Sequence, residues 1–173
     1  MSAQAVDGGA RDARRLMEIR RISAEEAQRL RAAILRPGLP FEASVYELDY
    51  DPESLHMGAF EYGELVTVAT ILHQPPPGED EPLGWRLRGM VTLPEMQRRG
   101  YGRAVLLRCI AHIARQGATL LWCNARTDAV GFYLTLQFET EGGEQKTARG
   151  TSFVRMKRVV TTEDAQLETE QPK

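Results

Sequence analysis

Cysteine is scarce in this chain. Cys109 and Cys123 are the only two among 173 residues, too few for a disulfide framework. One falls in a helical apolar pattern and the other in a strand pattern, which reads as two buried free thiols in a reducing compartment. No stretch approaches the ~18 apolar residues of a membrane span, and no apolar run of signal-peptide length stands at the start. A soluble, cytoplasmic protein with no membrane partner is the expectation. Charge of one sign is lacking too: Lys+Arg 22 against Asp+Glu 24 leave a formal net charge of −2, with only 7% aromatics. A nucleic-acid binder calls for a basic face interleaved with aromatics, so no nucleic-acid partner is expected. His56, His73 and His112 have no partner at metal-ligand spacing, so no metal is expected and each is assigned a structural or surface role.

What is present suits one compact domain. At 173 residues and 42% hydrophobic content, the chain can bury a sizeable core but not two. Residues 1–15 are rich in Ala, Gly, Arg and Asp without periodicity and read as a flexible tail, as does the polar, acidic stretch 161–173. Between them, residues 16–160 form the expected domain. Residues 16–21 alternate as a first strand. Ser23 and Glu26 make a capping box that opens a helix with Ala27, Leu30 and Ile34 on one face. Residues 43–49 (Val45, Tyr46 and Leu48 with Glu47 and Asp49) read as a strand. Residues 56–60 and 65–72 flank Glu61-Tyr62-Gly63-Glu64, a hairpin signal. Four prolines and three acids make 74–84 a loop.

A strand over 85–93 leads to a helix over 102–116 with Leu106, Ile110 and Ile113 inward, ended by Gly117. A buried strand follows over 119–123, then a short helix over 128–137 and strands over 138–144 and 151–160. The strand–helix–strand passage from Trp85 to Cys123 requires parallel neighbours, while other strands follow one another as hairpins. The fold class is α/β (α+β): a mixed, mainly antiparallel central sheet of about six or seven strands, flanked by helices.

The chemistry concentrates in residues 91–103. An apolar strand end runs through Pro94 into Gln97-Arg98-Arg99-Gly100-Tyr101-Gly102, and a helix begins at once. Such a turn gathers backbone N–H groups and the positive end of the helix dipole at one point, which suits a pyrophosphate. Gly100 and Gly102 permit close approach, and Arg98, Arg99 and Arg103 add fixed positive charge. The P-loop is excluded, because no Lys-Ser or Lys-Thr follows the turn. The dinucleotide fingerprint is excluded by Val105, where a third small residue would stand.

The turn matches Q/R-x-x-G-x-G/A and resembles the acyl-CoA loop of the GNAT superfamily of N-acetyltransferases. Thr92-Leu93-Pro94-Glu95 before it and Arg103-Ala104-Val105-Leu106-Leu107 after it are similar to that family's flanks. A second resemblance lies ~30 residues downstream, where 124–138 is similar to the family's N-x-x-A-x-x-x-Y-x-x-x-G-F. Ala129, Tyr133 and Phe138 fall on the alanine, tyrosine and phenylalanine. Arg126 departs from the usual asparagine and Gln137 from the usual glycine.

The resemblance implies an acetyl-CoA-dependent N-acetyltransferase, with acetyl-CoA as cosubstrate. It implies that the pantetheine arm pairs with Met90, Val91 and Thr92, exposed where the fourth strand splays from the fifth. It also implies a pyrophosphate on Gln97, Arg98, Arg99, Gly100, Tyr101, Gly102 and Arg103, and further contacts at Asn124 and Arg126. An N–H near Val91 would polarise the thioester carbonyl, and Tyr133 would act as general acid toward the departing thiolate. Glu47, Asp49, Glu61 and Glu95 are candidate bases, none of them singled out. The acceptor is a small-molecule or peptide amine, and acids at Glu42, Asp49, Asp51 and Glu53 hint at a cationic one. The chain allows a homodimer. Two other classes stay open: a non-catalytic acyl-CoA-binding or regulatory module, and a nucleic-acid module using Arg98, Arg99 and Arg103.

Overall fold

A computed structural model describes residues 17–169. Its strands form one sheet of seven, in the order β1-β2-β3-β4-β5-β7-β6. They are β1 (Met17–Arg21), β2 (Leu55–Glu61), β3 (Glu64–Leu72), β4 (Gly84–Thr92), β5 (Leu120–Arg126), β6 (Glu139–Lys146) and β7 (Ser152–Val159). Every pairing is antiparallel except that of β4 with β5. The helix spanning that parallel connection is α2 (Tyr101–Arg115), while α1 (Ala24–Ile34) precedes β2 and the five-residue α3 (Val130–Leu134) follows β5. The expected mixed sheet is observed. Residues 1–15, expected as a tail, lie outside the described residues. Among the described residues, no helix is long and apolar enough to cross a membrane.

The two faces of the sheet carry different chemistry. Val66, Ala69 and Ile71 of β3 and Trp85 and Leu87 of β4 join Val105, Leu106, Ile110 and Ile113 of α2 in the main apolar core. Both cysteines are buried and free there, and burial pushes each thiol up to about 12, so neither is a nucleophile at neutral pH. Side chains alternate along a strand, so Thr70, Arg86 and Arg88 belong to the opposite face, under α1.

The capping box at the start of α1 forms as expected, with Ser23 Oγ accepting from Glu26 N at 3.1 Å and Glu26 Oε2 accepting from Ser23 N at 2.8 Å. Its buried face differs from expectation. Ala24, Ala27, Gln28 and Arg31 point inward, whereas Leu30 and Ile34 are half-buried. The cause is a polar network. Arg31, with no exposed surface, donates to Asp49 Oδ2 at 2.8 Å and Oδ1 at 3.0 Å, to the Ser44 carbonyl at 3.0 Å, and to Thr70 Oγ1.

His56 closes the network. Its Nε2 lies 2.8 Å from the Asp49 carbonyl and so donates, leaving Nδ1 to accept from Thr70 at 2.8 Å. Desolvation, only partly offset by Asp49, lowers its pKa and keeps it neutral. Residues 43–49 are therefore not a strand. Residues Phe41–Ser44 form a 3₁₀ turn, and the chain then bends so that Asp49 accepts from Tyr46 N at 2.9 Å and turns inward, while Val45 stays exposed. The alternation of 45–48 is that of a loop that packs one side chain in two.

At the C-terminus, Thr162–Thr169 forms a 3₁₀ helix rather than a frayed tail. Asp164 takes a bidentate grip from Arg158 at 2.8 and 3.0 Å and accepts from Thr161 N, and Ala165 and Leu167 pack on the core.

The network also supports a kink in β4. Its register against β3 shifts between Val68 and Thr70, opposite Gly89 and Met90. Gly89 has φ +64, and a Cβ there would meet Arg31 Nε at 2.6 Å and the Tyr46 ring at 2.9 Å. Only glycine lets the bulge close over the buried arginine. Gly89→Ala adds left-handed strain to overpacking and is expected to cost roughly 2–4 kcal/mol. Urea unfolding measures this, and a loss below ~0.5 kcal/mol would show that the bulge does not depend on the missing side chain.

Candidate functional site

The bulge separates two strands that begin as neighbours. β4 and β5 pair only at Gly84, Trp85 and Arg86 with Leu120, Leu121 and Trp122. Beyond Arg86 the strands diverge, and the far half of β4 has β3 on one side only. Leu93 N donates to the Val66 carbonyl at 2.9 Å, so by two-residue alternation Val91 also faces β3, and Thr92 turns its backbone groups toward the gap. A cleft of about 800 Å³ occupies this gap, walled by Met90–Thr92, by the turn from Met96 to Arg103, by Arg126–Ala129 and α3, and by Ile34 and Leu35 at the end of α1.

One wall is the start of α2. Gly100 is its N-cap at φ 88, and Arg98 is also left-handed at φ 62. No side chain caps the helix and no acid lies in its first turn, so the N–H groups of the first turn are left for an outside acceptor. Alternating left- and right-handed backbone at such a turn is a nest for an anion. A Cβ on Gly102 would lie 3.2 Å from Met90 Cε and 3.6 Å from Phe132 Cζ, so it would project into the cleft. Among the described residues, no carboxylate pairs with Arg98, Arg99 or Arg103.

Tyr133 stands across the cleft. Its ring is fixed by edge contacts to Phe132 and Phe138, with centroids 5.1 and 5.2 Å away. Among the described residues its hydroxyl has one partner, the Met90 thioether, at 3.9 Å. A thioether is a weak acceptor, so a buried O–H here is a donor without a strong partner. Burial pushes the phenol well above its ordinary value, and it holds its proton at any working pH. Tyr101, also buried, donates to Glu61 Oε1 at 2.6 Å, and burial with that bond raises its pKa to about 12. It props the turn from behind rather than acting as an acid.

The sequence-expected residues thus converge, with two exceptions. Met90, Val91, Thr92, Gln97, Arg98, Gly100, Tyr101, Gly102, Arg103, Arg126 and Tyr133 line the cleft, while Arg99 and Asn124 do not. Asn124 is exposed on the sheet and accepts weakly from Arg155 Nε at 3.4 Å. Arg126 pairs with Asp128 at 3.1 Å. Gln97 Nε2 donates to the Thr92 carbonyl at 3.3 Å and so tightens the turn. Sequence reasoning missed Ile34 and Leu35 at the end of α1, and Met96, Asp128, Ala129, Phe132 and Thr135, which also line the cleft. All but the two α1 residues lie within the two motif stretches, 91–103 and 124–138, and Phe132 stands directly beside Tyr133.

The candidate bases do not converge. Asp49 is spent on Arg31: burial would raise its carboxyl, but the Arg31, Tyr46 N–H and Gln28 hydrogen bonds prevail and lower it. Glu61 serves Tyr101, and Glu47 and Glu95 are exposed. Of the loop acids, Asp51 and Glu53 are likewise engaged with their neighbours. Asp51 accepts from Glu53 N at 2.9 Å, and Glu53 accepts from His73 at 3.0 Å.

Comparison with known proteins bears on the family and the fold. The model of the acetyltransferase (GNAT) domain matches residues 19–160. The chain is 32% identical over 127 residues to the uncharacterized N-acetyltransferase YitI of Bacillus subtilis, covering 73% of this chain and 85% of that protein. Among solved structures, an acyl-CoA N-acyltransferase from Pseudomonas aeruginosa superposes with a TM-score of 0.65 at 16% identity, over 82% of this chain and 99% of its own. The ribosomal-protein-S18-alanine N-acetyltransferase from Escherichia coli superposes with a TM-score of 0.62 at 19% identity, over 84% and 95%.

Proposed function

This chain belongs to the GNAT acetyltransferases and is an N-acetyltransferase enzyme, and from that premise we propose how its cleft handles donor and acceptor. The donor is acetyl-CoA. One observation carries the reading: an unpaired strand edge, an uncapped helix start and a buried hydroxyl donor share a single cleft. The pantetheine amides pair with the free edge of β4 as a pseudo-strand. The pyrophosphate sits on the first-turn N–H groups of α2, with Arg98 and Arg103 beside it.

A neutral amine then attacks the thioester carbonyl carbon directly. An N–H near Val91, best placed on Thr92 by the strand alternation, steadies the oxyanion. Collapse breaks the C–S bond, the Tyr133 hydroxyl donates toward the sulfur as charge develops there, and any proton it gives up is restored from water. The nitrogen's surplus proton leaves through water, since none of the four carboxylates considered faces the cleft. Cytoplasmic location belongs to the same proposal.

The loop assignment has a direct test. Gly102→Glu places a side chain and a negative charge where the pyrophosphate would lie. Acetyl-CoA affinity measured by calorimetric titration should fall at least ~10-fold, or ~1.4 kcal/mol, with the fold intact. Unchanged affinity would remove the loop from the site.

A further inference from the structure

The face of the sheet under α1 holds Arg86, Arg88 and Arg155, none of which forms a salt bridge among the described residues. Arg86 and Arg88 lie two residues apart on β4 and are half-buried. Arg155 on β7 is paired in register with Asn124, beside Trp122. Arg86 and Arg155 both lie against the Trp122 ring, 4.6 and 4.9 Å from its centroid. Arg88 covers one ring more, Tyr46, at 3.9 Å. Among the described residues Arg86 has a single side-chain bond, to Gln74 at 3.2 Å, and its buried Nε has no partner. Arg88 has no hydrogen bond and no carboxylate among the described residues.

The nearby acids are already committed. Asp49 is saturated by Arg31, Gln28 and Tyr46 N, while Glu79 and Glu141 are both held by Lys157, at 2.5 and 2.7 Å. Burial and then repulsion from Arg88 push Arg86 down to about 10. Burial lowers Arg88 too, with Arg31 and Arg36 adding to it against Tyr46 and the more distant charge of Asp49. Stacking on two aromatic rings offsets part of this cost but leaves the forked N–H donors unspent. Planar guanidiniums in this state fit a carboxylate or a phosphate.

Position gives the cluster its meaning. Arg88 stands two residues, ~7 Å along the strand, from Met90 in the cleft wall. Arg36 directly follows Leu35, which lines the same cleft. The cluster therefore approaches the gap between β4 and β5 from the sheet face opposite Tyr133 and α2. We propose that Arg88, with Arg86 and Arg155 beside it, holds an anionic group of the acceptor, so that the acceptor is an amine that also carries a carboxylate or phosphate. This rests on the acetyl-transfer reading above, and it reverses the cationic acceptor that the loop acids suggested.

The test uses the full chain, acetyl-CoA and matched amines, followed by thiol release: α-amino acids against their decarboxylated amines, and O-phosphoethanolamine against ethanolamine. In the wild type, kcat/KM should favour the anionic member of one pair at least ~10-fold, the scale of a charged hydrogen bond, and which pair shows it distinguishes carboxylate from phosphate. In Arg88→Gln the ratio should fall toward one, and Arg88→Lys should restore part of it. A second readout needs no turnover: calorimetric binding of the N-acetylated anionic compound to the CoA-loaded protein, present in wild type and lost in Arg88→Gln.

If no amine is acetylated yet that binding holds, the transfer reading fails and the anion site stands. If uncharged amines react as well as anionic ones, or the preference survives in Arg88→Gln, the anion site falls and transfer stands. An Arg88→Gln defect in acetyl-CoA affinity alone would assign the cluster to the cofactor and overturn the proposal.

Discussion

Asp49→Ala should destabilise the protein by roughly 3–5 kcal/mol, because it strands a charge that has nowhere to go. Arg31 has no exposed surface, and its guanidinium makes two of its bonds to this one carboxylate. The same carboxylate also accepts from Gln28 and from Tyr46 N, so its loss frees donors on α1 and on the loop together. The effect should reach the site, since Arg31 lies directly under the Gly89 bulge that turns β4 away from β5.

Replacing both partners, as Arg31→Met with Asp49→Leu, removes the stranded charge and should recover part of the loss. Urea unfolding of the single and double variants provides the comparison, and a single-variant loss below ~1 kcal/mol would contradict it. The wild type should show the matching pH dependence. Asp49 and Asp164 are both lowered on folding: burial opposes this, and the arginine bonds outweigh it. Their contribution is fully present above the ordinary carboxylate range near pH ~4 and is lost as pH falls through the lowered folded values.

Tyr133→Phe should lower kcat by ~10²-fold while leaving acetyl-CoA affinity nearly unchanged. The ring keeps its edge contacts to Phe132 and Phe138, so only the hydroxyl is removed. That hydroxyl rests against a thioether, a soft and weak acceptor, at 3.9 Å. A thiolate leaving from acetyl-CoA would be a far better one. Because burial keeps the phenol protonated, the donor is always present, and its hydrogen bond strengthens as negative charge grows on sulfur. Wild-type turnover in the variant, under conditions where chemistry limits, would reduce Tyr133 to a packing residue.

The parts of this fold legible in the sequence are those with local causes. The capping box, the Tyr62-Gly63 turn and the apolar stripe of α2 each depend on residues within a few positions of one another. The same is true of the glycine-bearing turn, so the cleft wall at 97–103 is legible from its own few residues. The buried network is not. Arg31, Asp49, His56 and Thr70 come from four separate segments, and each alone looks like a solvated polar residue. That is why periodicity points Leu30 and Ile34 inward, rather than Arg31.

Residues 43–49 mislead for a related reason, since the alternation of Val45, Tyr46 and Leu48 is compatible with any chain that buries every second side chain. The C-terminal segment does carry a readable signal. Thr161-Thr162-Glu163-Asp164 has the spacing of a capping box, and Asp164 does accept from Thr161 N at 2.8 Å. Asn124 shows the limit of motif alignment: its place in the pattern is right, but its side chain lies outside the cleft.

The central claim is that one cleft binds acetyl-CoA and passes its acetyl group to an amine. Thiol release across a panel of amines, run in parallel on wild type, Gly102→Glu and Tyr133→Phe, tests it most directly. Amine-dependent release is expected from the wild type, with Gly102→Glu impaired through acetyl-CoA affinity and Tyr133→Phe through kcat. Tight acetyl-CoA binding without amine-dependent release would instead mark a non-catalytic acyl-CoA-binding module, and variants indistinguishable from wild type would place the chemistry elsewhere.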